Sequence, residues 1–136
     1  MRLSSFASVV SAAALALAVA PALAQDTPHV YFAEPADGAV VTSPFKVRFG
    51  LADYELRPAG DMSAGSGHHH LIIDGAPPAK GEVIGSSETS RHFGKAQTET
   101  ELSLAPGRHR LTLQLGDGAH VSLGRDFSSS IEVEVR

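Results

Sequence analysis

The chain of 136 residues has no cysteine, no tryptophan and no asparagine. Without cysteine there are no disulfides, no iron–sulfur or Cys-zinc sites, no thiol catalysis and no lipid anchor on an N-terminal cysteine. Without asparagine there is no N-glycosylation acceptor. Only two methionines occur, Met1 and Met62, so a Met-rich copper(I) site is excluded. Basic residues are in the minority: 11 Lys+Arg against 15 Asp+Glu give a formal net charge of −4. That balance argues against nucleic acid or an anionic lipid surface as the principal partner, since both require a basic patch.

Charge is absent between Arg2 and Asp26. The intervening stretch has an apolar run from Val9 to Ala20, then Pro21 and the small-x-small sequence Ala22-Leu23-Ala24. This is the pattern of a secretory signal peptide, residues 1–24, with cleavage after Ala24. Pro21 and the small-residue exit argue against an uncleaved membrane-spanning helix. Removing 24 of the 136 residues leaves 112, and loss of Arg2 takes the net charge from −4 to −5. A chain of that size forms one domain, residues 25–136. The expected product is a soluble, monomeric protein of the bacterial periplasm, without a membrane span after processing.

Alternation at period two dominates the rest of the chain. Phe45, Val47, Phe49 and Leu51 alternate with Lys46, Arg48 and Gly50. Similar runs occur at 99–104, 108–115 and 131–136, with shorter strands at His29–Ala33 and His68–Asp74. Turn signals separate them: Ala36-Asp37-Gly38, Asp74-Gly75, Ala105-Pro106-Gly107 and Gly116-Asp117-Gly118. No segment after Gln25 has a helical period. Strands with one polar face imply antiparallel sheets, and a second sheet must cover the apolar face. The expected fold is therefore all-β, an antiparallel immunoglobulin-like β-sandwich without the Trp and Cys pair of antibody domains. Two long loops, Ala52 to Gly67 and Gly75 to Gln97, flank the 68–74 strand. Loops of that length are usually functional or disordered.

Seven histidines follow the signal peptide: His29, His68, His69, His70, His92, His109 and His120. On a strand, His68 and His70 share one face with Ile72, and His69 shares the core side with Leu71 and Ile73. Two imidazoles on one strand face are close enough to chelate one metal ion. Further ligands must come from loops, and His92 and His120 are the candidates. The competing reading is that histidines at a strand's start hydrogen-bond loop carbonyls. His109 lies on an apolar strand face and reads as a packed, hydrogen-bonded residue, and His29 cannot form an amino-terminal copper chelate. Ser66 near His68 and Asp74 supplies triad residue types without a nucleophile elbow. Glu99 and Glu101 read as solvated charge. Lys95 and Arg91 beside His92 are either an anion-binding spot or exposed loop charge.

These residues carry a resemblance. The blocks Pro35–Gly38, Phe49-Gly50, Pro58-Ala59-Gly60, Gly67–Asp74, His92–Glu99, Pro106–His109 and Gly116–His120 are together similar to the bacterial domain-of-unknown-function family 4399. The resemblance spans nearly all of the chain after the signal peptide and implies an exported β domain. It brings no established activity. Tyr54, Gly118 and Leu123 depart from the family pattern, which at the last two positions is richer in histidine. A metal site here would have fewer ligands.

The function expected is a periplasmic, non-catalytic domain binding a transition metal ion, copper or zinc, through His68, His70, His92 and His120. The alternative is a cell-envelope interaction module, binding protein or glycan, with structural histidines. A hydrolase ranks third, because no catalytic motif is found.

Overall fold

The alternating segments fold as two packed β-sheets. The computed structural model describes residues 27–136 together with Ala13, Ala14 and Ala16. The expected cleavage site, and all but those three residues of the expected signal peptide, lie outside the described residues. The first sheet holds β1 (His29–Glu34), β3 (Phe45–Ala52) and β7 (Glu99–Leu102), antiparallel in the order β1-β3-β7. The second follows the order β2-β9-β8-β5-β4. Its strands are β2 (Ala39–Val41), β9 (Ser128–Val135), β8 (Gly107–Gly116), β5 (Ser66–Ile73) and β4 (Glu55–Leu56). A further short strand, β6 (Ser90–His92), also pairs with β5. The described residues contain no α-helix, only a 3-10 turn at Arg125–Phe127.

The alternating apolar residues meet between the two sheets. Val30, Phe45, Val47, Phe49 and Leu102 from the first sheet pack with residues of the second. These include Leu71, Ile73, Leu111, Leu113, Leu115, Ile131 and Val133. Each fully buried leucine contributes on the order of 1.5–3 kcal/mol by leaving water. The polar positions of β3, Lys46 and Arg48, stay exposed and pair with Glu99.

Antiparallel pairing holds in the interior of both sheets, as the alternation requires. At two edges it gives way to parallel pairing: β2 runs parallel to β9 and β4 parallel to β5. The chain crosses from one sheet to the other after β1. There Gly38 N–H donates to Glu132 O at 2.8 Å, and Glu132 N–H donates to Asp37 Oδ1 at 2.8 Å. The two long loops have the same destination. Each contributes a short strand to one edge of β5, β4 beside Ser66–Gly67 and β6 beside His70–Ile72. With β8 on its other edge, β5 is buried over all eight residues.

Position 113 tests the core. Leu113 is fully buried on β8, so Leu113→Ala should cost roughly 2–5 kcal/mol, the lost transfer energy plus a cavity. Lys46→Ala, on an exposed ion pair, should change stability by less than about 0.5 kcal/mol. Urea denaturation of the two variants would show the contrast, and equal effects would mean that Leu113 is not a core position.

Candidate metal centre

Strand geometry divides the triple histidine between two environments. His69 points into the core, where its ring meets Phe49 edge-on at a centroid distance of 4.9 Å. His68 and His70 point to the opposite face, their ring centroids 4.7 Å apart. All three side chains are essentially inaccessible to water. Cross-strand register brings the third ligand candidate, because His92 of β6 lies directly opposite His70. Their rings are 5.2 Å apart. The strand-to-strand pairing thus unites residues 22 positions apart in sequence.

His120 arrives from the loop that follows β8. Its backbone is left-handed (φ 64°), an uncommon conformation for a residue with a Cβ. Asp117 fixes that loop: its Oδ1 accepts from Ala119 N–H at 2.8 Å and Val121 N–H at 3.0 Å, and its carbonyl accepts from His120 N–H at 2.9 Å. Two glycines leave room for the rings. A Cβ at Gly94 would overlap the His92 ring, lying 2.7 Å from its Nε2. One at Gly116 would lie 3.0 Å from His70 Cε1.

The outcome is a four-imidazole cluster. One ring nitrogen from each of His68, His70, His92 and His120 falls within 4.8 Å of the other three. His68 Nε2 is 3.1 Å from both His92 Nε2 and His120 Nδ1. Ligands 2.0–2.1 Å from a tetrahedral ion are about 3.3 Å apart, close to that spacing. Hydrogen bonding alone satisfies the cluster poorly. A ring nitrogen carries either one proton or one lone pair, so His68 Nε2 cannot fully serve two nitrogen neighbours. His68 Nδ1 and both ring nitrogens of His70 are buried without any hydrogen-bond partner. Unpaired buried groups cost about 1–3 kcal/mol each.

The electrostatics favour neutral imidazoles, the form that binds metal. Burial, reinforced by neighbouring imidazoles, pushes His68 down to about 4 and His70 to about 3 from the ordinary 6.5. His92, more exposed, is lowered by the same causes in the same order. In the core, burial lowers His69 to about 4, and both its nitrogens are also unpartnered.

All four sequence candidates therefore meet, and the remaining histidines stand apart from them. His29 Nδ1 donates to Thr27 O at 2.7 Å near the start of β1. His109 packs at the far end of β8, with Nδ1 2.7 Å from Asp74 Oδ2 and Nε2 2.7 Å from Ala105 O. Both partners are acceptors, so the doubly protonated ring satisfies them, and the hydrogen bond to Asp74 raises its pKa. Ser66 Oγ donates to Ser63 O at 2.6 Å, not to a histidine, which removes the triad reading. Arg91 Nε donates to Glu88 O at 2.7 Å, while Lys95 stays exposed. The residue that sequence reasoning missed is Asp117. It stood in a turn signal, and an Asp two residues before a free backbone N–H is the usual sign of a side-chain-capped turn.

The family model described as Domain of unknown function (DUF4399) matches residues 47–136, about two thirds of the chain. The chain belongs to that family. The match begins within β3 and takes in the whole DUF4399 cluster, with His69 and Asp117. No curated protein and no solved structure matches the chain.

The two kinds of histidine in this DUF4399 domain give opposite pH dependence. His109 has a raised folded pKa, so its contribution is full below 6.5 and disappears as pH rises through the folded value. For His68, His69 and His70 the folded values lie below 6.5, so the unfolded chain takes up protons first. Their contribution is intact above 6.5 and falls as pH drops toward about 4 and 3. Chelator-treated protein should accordingly unfold at lower urea concentration at pH 5 than at pH 7. The deficit caused by His109→Gln should be larger at pH 6 than at pH 9. A flat profile from pH 7 to pH 5 would contradict the neutral, buried cluster.

Proposed function

We propose that this is an exported, non-catalytic periplasmic domain of immunoglobulin-like type that binds a transition metal ion, copper or zinc, through His68, His70, His92 and His120. The observation that carries the reading is the convergence of one ring nitrogen from each of four imidazoles within 4.8 Å, with the buried His70 ring unpartnered among them. A metal ion accepts one lone pair from each ring, including that of His70, whose nitrogens have no partner in the protein. Neutral imidazole is a good ligand for both copper and zinc. An ion held by all four would have no open tetrahedral position, which favours carriage, buffering or delivery over catalysis. His92, exposed at the edge of β6, gives the ion a route from solvent. Export rests on the uncharged stretch ending in Ala22-Leu23-Ala24.

Calorimetric titration of copper(II) and zinc(II) into untagged processed protein tests the site. His70→Ala and His92→Ala should each weaken binding by about tenfold or more, while His29→Ala leaves it unchanged. Burial of His68 and His70 should move loss of binding on acidification below the pH of about 6.5 at which free imidazole titrates. If wild type binds neither ion more tightly than an unstructured histidine-rich peptide, the envelope-interaction reading takes its place.

Processing has its own test. Expressed in a Gram-negative host, the protein should be recovered from the periplasm with Gln25 at its N-terminus. Recovery of the intact Met1 form from membranes would exclude cleavage.

A further inference from the structure

The outer face of the larger sheet continues past the histidine cluster into a second site. His70 is the register partner of Gln114, which is itself the partner of Ser128 on β9. One step along, Thr112 is opposite Ser130, their hydroxyls 2.7 Å apart. Alternation marks Thr112 and Gln114 as solvent-facing, yet each is only 1% exposed. They line a cleft of about 790 Å³, bordered by the Ala76–Lys80 segment and by Arg125, whose neighbour Gly124 lies against Lys80. That size lies within the range of small-molecule sites.

The chemistry of the lining is one-sided. Lys80, Arg110 and Arg125 all border the cleft. Elsewhere Lys46, Arg48, Arg57 and Arg136 each pair with a glutamate. Among the described residues, Lys80, Arg110 and Arg125 form no such pair, nor do Arg91, Lys95 and Arg108 outside the cleft, although Glu132 is the register partner of Arg110. The one carboxylate in the lining, Asp74, is already engaged. Its Oδ2 meets His109, and its Oδ1 accepts Arg110 N–H at 2.8 Å. Gln114 is fixed in place, its Nε2 donating to Gly124 O at 3.0 Å and Phe127 O at 3.3 Å. Ser128 and Ser130 also line the cleft, the Ser130 hydroxyl paired with that of Thr112.

We propose that this cleft binds a small, multiply charged oxyanion carrying carboxylate or phosphate groups, whether or not the histidine cluster holds a metal. Three cations around one concave surface concentrate positive potential on a chain whose net charge is negative. Guanidinium groups match the planar, two-oxygen geometry of carboxylate and phosphate. The Ala76-Pro77-Pro78-Ala79 wall offers an apolar surface to the carbon skeleton of an organic ligand.

Calorimetric titration of chelator-treated, processed protein with succinate, tricarballylate and inorganic phosphate at low ionic strength tests this. Saturable binding of at least one anion is expected, and the preference between succinate and phosphate assigns the source of the charge. Arg110→Gln and Arg125→Gln should each raise Kd tenfold or more, Arg125→Lys should recover part of the loss, and Lys46→Gln should change Kd less than twofold. The uncharged analogue succinamide should not bind. Absence of saturable binding by all three anions, or equal weakening in Lys46→Gln and the two arginine variants, would overturn the proposal. Thermal unfolding of each variant confirms that the fold is retained, since all the substituted residues are exposed.

Discussion

Burial of β5 on both faces and along both edges is the constraint on which the rest of the structure depends. A strand buried on one face would have left His68 and His70 in water, where each nitrogen hydrogen-bonds to solvent and nothing requires them to meet. Here β8 occupies one edge, β4 and β6 share the other, and the loops behind those strands close over the outer face. Three imidazoles are consequently removed from water within one strand. His69 turns into the core, while His68 and His70 share the outer face with His92 and His120, and that convergence of ring nitrogens makes a histidine-rich segment a candidate metal centre.

The two long loops are explained by the same strand. Each could have been an excursion into solvent, but each returns a few residues to pair with β5. The second of these, β6, places His92 against His70. The 117–121 turn does the equivalent work for His120 through a single aspartate whose side chain accepts two backbone N–H groups. Rigid backbone pairing therefore holds His68, His70 and His92, and a capped turn holds His120. A site assembled this way needs little rearrangement to accept an ion.

Two chemistries lie side by side on one sheet face. Imidazoles occupy the end formed by β5, β6 and the His120 loop, and cations with hydroxyls occupy the end formed by β8 and β9. Both depend on the same departure from simple alternation, in which nominally outward residues such as His70, Thr112 and Gln114 are covered by segments of chain from outside their own strands. A half-exposed sheet would have presented neither a cluster nor a cleft.

Much of this was legible in the residues. Period two in 45–51, 108–115 and 131–136 determined a β fold and most of its inward-facing side chains, because side chains alternate across a strand whatever its partners. The same rule separated His69 from His68 and His70, and the turn signals marked where strands end. The acceptors around His109 come from Asp74 and Ala105, which no spacing along the chain reveals. The parallel pairings of β2 and β4, the burial of Thr112 and Gln114, and the role of Asp117 were equally invisible. So was the grouping of Lys80, Arg110 and Arg125 about one cleft, where only Lys95 and Arg91 had suggested an anion site. Local sequence sets which way a side chain points, since that follows from backbone geometry within one strand. Which distant side chains share that direction is decided by strand order and register, and those come only from the packing of the whole chain.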